Sequence, residues 1–231
     1  MTVLLDRPRP RLAIVGAGIA GLTCAYRLFR SFDVTVFEAN DYAGGHTNTI
    51  EVERRGERHA VDTGFIVFNE LNYPNFVAML DELGVASHPS TMSFSVRRED
   101  SGLEYNGTSL DTVFAQRRNL LRPSFIGMLR EIMRFNREAP AVLEGPENAQ
   151  TVDEYVRAHG YRAPFVDNYL VPMGASIWSC PPRTFRRFPI RFVVEFFVNH
   201  VMLSVNGRPT WRVITGGSQR YVEAMTAPFR D

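Results

Sequence analysis

Apolar positions near the start of the chain follow first one period and then another. Leu12-Ala13-Ile14-Val15 is an unbroken apolar run between Arg11 and Gly16, the pattern of a buried parallel strand. From Ile19 to Phe29 the apolar residues Leu22, Ala25, Tyr26 and Phe29 fall on one side of a helix. Val34-Thr35-Val36-Phe37 reads as a second, β-branched strand that ends at Glu38. The first forty residues therefore predict one strand–helix–strand unit.

The pattern then changes. Ile50 to Glu53 and Met92 to Arg97 alternate apolar and polar residues, as half-exposed antiparallel strands do. Asn75 to Leu83 fits a helix closed by Gly84. Leu110 to Asn136 predicts two arginine-rich helices broken near Pro123, and Glu138 to Ala149 predicts a loop. Thr151 and Glu154 form a capping box for a helix to about His159. Phe192 to Leu203 carries Phe192, Val193, Phe196 and Phe197 at helical spacing. Trp211 to Ile214 is a strand candidate, Gly216-Gly217 a turn, and Ser218 the cap of a last helix.

Composition narrows the classes. The 231 residues are 45% hydrophobic and 22% charged, as in an ordinary globular protein. Net charge is +1, which offers no broad field for nucleic acid. All 26 basic residues are arginine, so a Schiff-base or P-loop lysine is excluded. Cys24 and Cys180 form no metal or redox spacing, and two buried reduced thiols are expected. The uncharged run Leu12 to Tyr26, behind Arg7, Arg9 and Arg11, superficially resembles an export signal. Its glycine spacing has a better explanation, so the expected location is cytoplasmic, with room for contact at a membrane surface.

That spacing is Gly16-Ala17-Gly18-Ile19-Ala20-Gly21, a GxGxxG turn directly after a strand and opening a helix. Glu38 ends the next strand, 17 residues after Gly21. This context makes the pattern a dinucleotide fingerprint. Gly16 allows the tight turn, Gly18 lets backbone approach a pyrophosphate, and Gly21 lets helix and strand pack closely. The helix N-terminus supplies N–H groups and partial positive charge. Glu38 accepts from both hydroxyls of an adenosine ribose and disfavours a 2′-phosphate, which argues against NADP.

Gly44-Gly45-His46-Thr47 and Val61-Asp62-Thr63-Gly64-Phe65 follow. With the fingerprint, they resemble the amine-oxidase and phytoene-desaturase-like flavoproteins. Further stretches resemble a bacterial subgroup described as predicted NAD/FAD-binding proteins: Ser176-Ile177-Trp178-Ser179, Phe197-Val198-Asn199-His200 and Trp211 to Ser218. The resemblance implies FAD as cofactor. It implies cofactor contacts at the fingerprint, at Glu38 and Ala39, at Gly44, Gly45, His46 and Thr47, and at Thr63, Gly64, Phe65 and Ile66. His46 stands where the superfamily has arginine, and it lacks the five-donor fork of that residue. The resemblance also implies a late Gly-Asp segment that this sequence does not contain, so the chain is expected to be C-terminally truncated.

The expected fold is α/β. A Rossmann-type FAD-binding parallel sheet occupies residues 1–69, a mixed α+β substrate region is inserted over 70–207, and residues 208–231 return to the cofactor domain. The expected activity is FAD-dependent oxidation of a small organic substrate (an amine, a lipid or an isoprenoid) with the hydride passing to flavin. In such enzymes the cofactor does the chemistry, and no catalytic side chain is named. His200, Trp178 and Trp211 read as core residues first, and no metal site is expected. Arg183, Arg186, Arg187 and Arg191 beside the aromatic stripe fit either a solvated helix end or a lipid contact. The alternatives are a non-catalytic dinucleotide-binding fragment, an NAD-dependent dehydrogenase and, on the aromatic helix alone, a lipid-binding accessory module.

Overall fold

The computed structural model describes residues 8–147, 149–204, 207 and 209–230. The chain divides into two compact units: residues up to Thr91 together with those from Thr210, and Met92–Pro209. The first stretch contains β1 (Arg11–Val15), α1 (Ile19–Leu28), β2 (Asp33–Phe37), β3 (Thr49–Arg54), β4 (Glu57–Asp62), α2 (Pro74–Leu83) and β5 (Ser87–Ser90). The second unit contains β6 (Ser95–Arg98), β7 (Leu103–Asn106), α3 (Leu110–Val113), α4 (Pro123–Glu138), α5 (Ala141–Glu144) and α6 (Val152–Ala158). It continues with α7 (Ala163–Phe165), α8 (Val171–Ile177), α9 (Pro182–Phe185) and α10 (Ile190–Asn199). The chain then re-enters the first unit with β8 (Trp211–Ile214) and α11 (Gln219–Thr226).

In the first unit β1 and β2 pair in parallel, with Arg11 opposite Asp33 and Val15 opposite Phe37. The run Leu12 to Tyr26 is thus a strand, a turn and a helix. β1 is not buried on both faces as its apolar run predicts, and β2 is like it. Half-buried and exposed residues alternate along both, and Val15 is 89% exposed. Among the described residues this parallel sheet has two strands, and α1 covers the face that carries Leu12, Ile14, Val34 and Val36. β3 and β4 form a hairpin across the turn Arg55-Gly56, both at positive φ, which matches strand twist. β5 and β8 pair antiparallel. The core joins Leu22 of α1, Met79 and Leu80 of α2, and Tyr221, Val222 and Met225 of α11 to Phe68 and Ile214. This packing keeps α2 and β5 in the first unit, which therefore runs to Thr91 and not only to the expected boundary at Asn69. The other expected boundary, at Arg208, lies outside the described residues, as does Arg7.

The second unit is mainly helical, with the hairpin β6–β7. Pro123 is the first residue of α4, and Arg122 before it is extended, as a residue preceding proline prefers. The stretch ahead of Pro123 is not one helix. It is α3 and a separate 3₁₀ turn, Arg117–Leu121. The expected loop after Glu138 contains the single turn α5. The Thr151 hydroxyl and the Glu154 carboxylate cap α6 reciprocally, as their spacing predicts. α10 starts earlier and ends earlier than predicted, because Pro189 caps its start and Val201 has φ 54, which no helix can continue through. The core includes Phe125, Met128 and Phe135 of α4, Tyr155, Phe165, Phe185, and Val193, Val194 and Phe197 of α10.

Candidate cofactor site

β1 ends at Gly16, whose N–H donates to the Phe37 carbonyl at 2.7 Å and whose φ of 97° carries the chain out of the sheet. A side chain at Gly21 would place Cβ 1.9 Å from the Gly16 carbonyl oxygen, so helix and turn touch backbone to backbone. Gly18 is different. Its φ of −75° suits any residue, and the nearest atom to a Cβ there is Gly45 Cα at 3.9 Å. Neither conformation nor a protein neighbour demands glycine at 18. No side chain caps α1, so its first-turn N–H groups, which lack intrahelical acceptors, meet an open backbone surface. The structure therefore keeps a cradle that a Cβ would fill, as close approach of a phosphate requires.

Glu38 closes the turn from the other side. Its carboxylate accepts from the Ala17 N–H at 2.7 Å, the Ala39 N–H at 2.8 Å and the Asn40 N–H at 3.0 Å. The Asn40 and Ala17 amides hold its pKa below the usual value of 4.5, so it is an acceptor at neutral pH. Gly44 donates to the Ala17 carbonyl at 2.8 Å. Gly45 lies against Gly18 so closely that a Cβ would stand 2.8 Å from the Gly18 Cα.

A second tier of contacts extends this floor. The Thr63 N–H donates to the Asn48 carbonyl at 2.9 Å, and a Cβ at Gly64 would lie 1.8 Å from the His46 carbonyl oxygen. Gly16 to Gly21, Glu38, Ala39, Gly44, Gly45, Thr47, Thr63 and Gly64 are thus linked by direct contacts or short backbone steps. His46 is exposed. Ile66 is 52% exposed, whereas the Phe65 ring packs edge-on against Phe76 at 5.2 Å.

The sequence reading missed how this floor is anchored. Asp62 accepts from the Ser218 N–H and hydroxyl, both at 2.8 Å, and from the Thr49 hydroxyl at 2.6 Å. The Thr49 hydroxyl oxygen in turn accepts from the Gln219 N–H at 3.0 Å. Ser218 stands at the cap position but its side chain does not cap α11. It binds Asp62, and the β3–β4 hairpin supplies the acceptors for the helix start. Buried Thr47 meets the hydroxyl of Tyr221 on α11. The acidic residue beside Thr63-Gly64 was the available signal.

The other candidates fall elsewhere. His200 Nδ1 lies 2.9 Å from the carbonyl of Phe196 and its ring stacks on Phe196. Trp178 sits among Phe185, Phe192, Phe196 and Phe197. Arg186 pairs with Asp153 and Asp167, and Arg191 donates to the carbonyls of Val142, Leu143 and Gly145. Both cysteines are free. Cys24 is exposed and not buried, because it lies on the face of α1 opposite Leu22 and Ala25. Among the described residues no three His, Cys, Asp or Glu side chains group as metal ligands, and no helix is long and apolar enough to cross a membrane.

Residues 14–83 match the NAD(P)-binding Rossmann-like domain. The chain is 55% identical over 40 residues to 1-hydroxycarotenoid 3,4-desaturase of a Flavobacterium species, covering 17% of this chain and 8% of that protein. It is 50% identical over 42 residues to tryptophan 2-monooxygenase of Agrobacterium vitis, covering 17% and 6%. Among solved structures, cyclohexylamine oxidase from Brevibacterium oxydans superposes with TM-score 0.68 at 18% identity, over 96% of this chain and 49% of that one. Wild-type putrescine oxidase bound to putrescine gives 0.66 at 19%, over 96% and 50%. The chain spans about half the length of these structures. Residues 14–83 are thus similar to an NAD(P)-binding Rossmann-like domain, and the chain shares its fold with about half of each of these amine oxidase structures.

Proposed function

We propose that this chain supplies the dinucleotide-binding part of an FAD-dependent oxidoreductase acting on an organic substrate, an amine, a lipid or an isoprenoid. The open Gly18 backbone between the α1 N-terminus and Gly45, with Glu38 ionised beside it, carries this reading. Those residues fit the adenosine and pyrophosphate of FAD. Gly18 to Gly21 would hold the pyrophosphate through backbone N–H groups, with the Ala17 N–H already given to Glu38, and Glu38 would turn its carboxylate to the ribose hydroxyls. Thr63 and Gly64 would lay backbone along the flavin side of the site. Bound flavin supplies the hydride acceptor; the chain supplies position and a dry floor. Two free thiols suit a reducing compartment such as the cytoplasm.

The test is the visible spectrum of the purified chain before and after excess FAD and desalting. Retained flavin bands support the proposal. A colourless protein that takes up no FAD overturns it. The match of residues 14–83 to an NAD(P)-binding domain keeps a second reading in view, an NAD site. NAD binding without FAD binding would favour that one.

A further inference from the structure

α4 buries one face and leaves the other bare. Phe125, Met128, Glu131 and Phe135 point into the second unit's core. On the opposite side, positions three and four apart bring Arg122, Ile126, Arg130, Met133 and Arg137 into one stripe. An open groove lies along it, lined also by Leu129. Met133 is 57% exposed, and Leu121, the residue before the stripe begins, is 88% exposed.

The charges here are not balanced. Residues 110–138 hold six arginines against Asp111, Glu131 and Glu138, a net of +3 in a chain whose total is +1. Each carboxylate is already engaged. Asp111 pairs with Arg117, buried Glu131 with Arg162, and Glu138 with Arg134 and Arg137. Among the described residues Arg118 donates only to the Gly102 carbonyl. Arg122 and Arg130 have no carboxylate partner among the described residues.

A solvated helix face would interleave these arginines with acids at positions three and four apart. A protein-binding patch would offer an aromatic anchor or a deep pocket, and this stripe has neither. Separate aliphatic side chains between unpaired guanidinium groups match the boundary between lipid headgroups and acyl chains. We propose that this face of α4, with the Leu121 turn before it, docks on an anionic lipid bilayer. The aliphatic side chains enter the headgroup boundary, the arginines meet lipid phosphates, and their apolar stems lie along the surface. This differs from the lipid contact that the sequence suggested at Arg183 to Val198, where Arg186, Arg191 and the aromatic side chains have partners inside the unit.

Flotation of the 231-residue chain with phospholipid vesicles tests this. The chain should float with phosphatidylcholine vesicles containing about one-third phosphatidylglycerol and stay behind with pure phosphatidylcholine. Roughly 0.5 M salt, with a Debye length of about 5 Å, should release most of it. Arg122→Glu with Arg130→Glu should lower partitioning by about tenfold or more. Leu121→Ser with Met133→Ser should also lower it while leaving the salt dependence in place. All four positions are at least partly exposed, and an unchanged melting curve verifies that each variant folds. No flotation of the wild type at low salt overturns the proposal, as does binding that survives both double variants. Concentration-dependent growth in mass without vesicles, abolished by the same variants, would make the face a self-association surface and overturn it as well.

Discussion

Asp62 and Ser218 lie 156 residues apart in sequence and meet through two hydrogen bonds of 2.8 Å, one to the Ser218 N–H and one to its hydroxyl. The last residue of β4 thereby anchors the start of α11, and Thr49 on β3 completes the cap by accepting from Gln219. Asp62→Ala leaves the Ser218 N–H and hydroxyl without their acceptor. A lost helix cap costs about 1 kcal/mol and a charged hydrogen bond about 1.5–3 kcal/mol, so a loss of roughly 2–3 kcal/mol is expected. Ser218→Ala removes one of the two bonds and should cost about 1 kcal/mol. Urea unfolding of the three proteins gives both numbers, and equal losses in the two variants would contradict this account.

Gly18 and Gly21 separate binding from folding. Gly21→Ala drives Cβ to 1.9 Å from the Gly16 carbonyl oxygen, a contact only backbone movement can relieve. It should lower the melting temperature by several degrees, the response to a loss of about 1–3 kcal/mol from overpacking. Gly18→Ala meets no atom closer than 3.9 Å and should leave the melting curve within about 1 kcal/mol of wild type. Its Cβ would occupy the cradle, so FAD or NAD uptake should fall by at least about tenfold. Calorimetric melting and titration with each dinucleotide measure the two effects. A Gly18→Ala chain that binds normally would remove the role assigned to that backbone.

Glu38 makes a pH prediction with a definite sign. Its carboxyl is held below its ordinary pKa of 4.5, first by the Asn40 N–H and next by the Ala17 N–H. A depressed carboxyl pKa favours the folded state above the unfolded pKa, and the contribution is lost as pH falls through the folded value. The wild type should therefore lose melting temperature below about pH 4.5 relative to Glu38→Gln, and the two curves should run parallel between pH 6 and 8. The side chain is solvated, so the difference is expected to be small. A constant offset across the whole range would show that ionisation of Glu38 does not matter to stability.

How far the sequence revealed this arrangement depends on the range of each interaction. β1, α1 and β2 were readable because their period and the fingerprint lie within thirty residues. Thr151 and Glu154 were readable because a capping box is local. β5 was not, since Ser87-His88-Pro89-Ser90 has neither alternation nor β-branched residues and owes its conformation to pairing with β8. β4 was missed too, because its exposed residues carry no apolar stripe; only Gly56 at the turn marked the return. Burial of β1 was expected from its unbroken apolar run, and such a run does not say how many faces are covered. Within the candidate site, Gly16 to Gly21 and Glu38 were legible as a motif. The Asp62, Thr49 and Ser218 cluster was not, since it joins segments that only the folded chain brings together.

The second unit offers a test in which a favourable local effect opposes an unfavourable packing effect. Gly174 lies in the middle of α8, where replacing glycine by alanine ordinarily stabilises a helix by about 0.5–1 kcal/mol. Here a Cβ would stand 2.0 Å from Phe185 Cε2, inside a ring that is itself fully buried and stacked on Trp178 at 5.8 Å. The ring can move only by disturbing Trp178 and Phe188, which also pack against it. Overpacking of this kind costs about 1–3 kcal/mol, so the packing loss exceeds the helical gain. Gly174→Ala should destabilise the unit by about 1–2 kcal/mol, with a change in tryptophan fluorescence as the indole environment shifts. Gly174→Ala combined with Phe185→Leu should recover part of that loss, because the smaller side chain vacates the contact. A single variant more stable than wild type would mean that Phe185 does not press on α8 as closely as its ring position indicates.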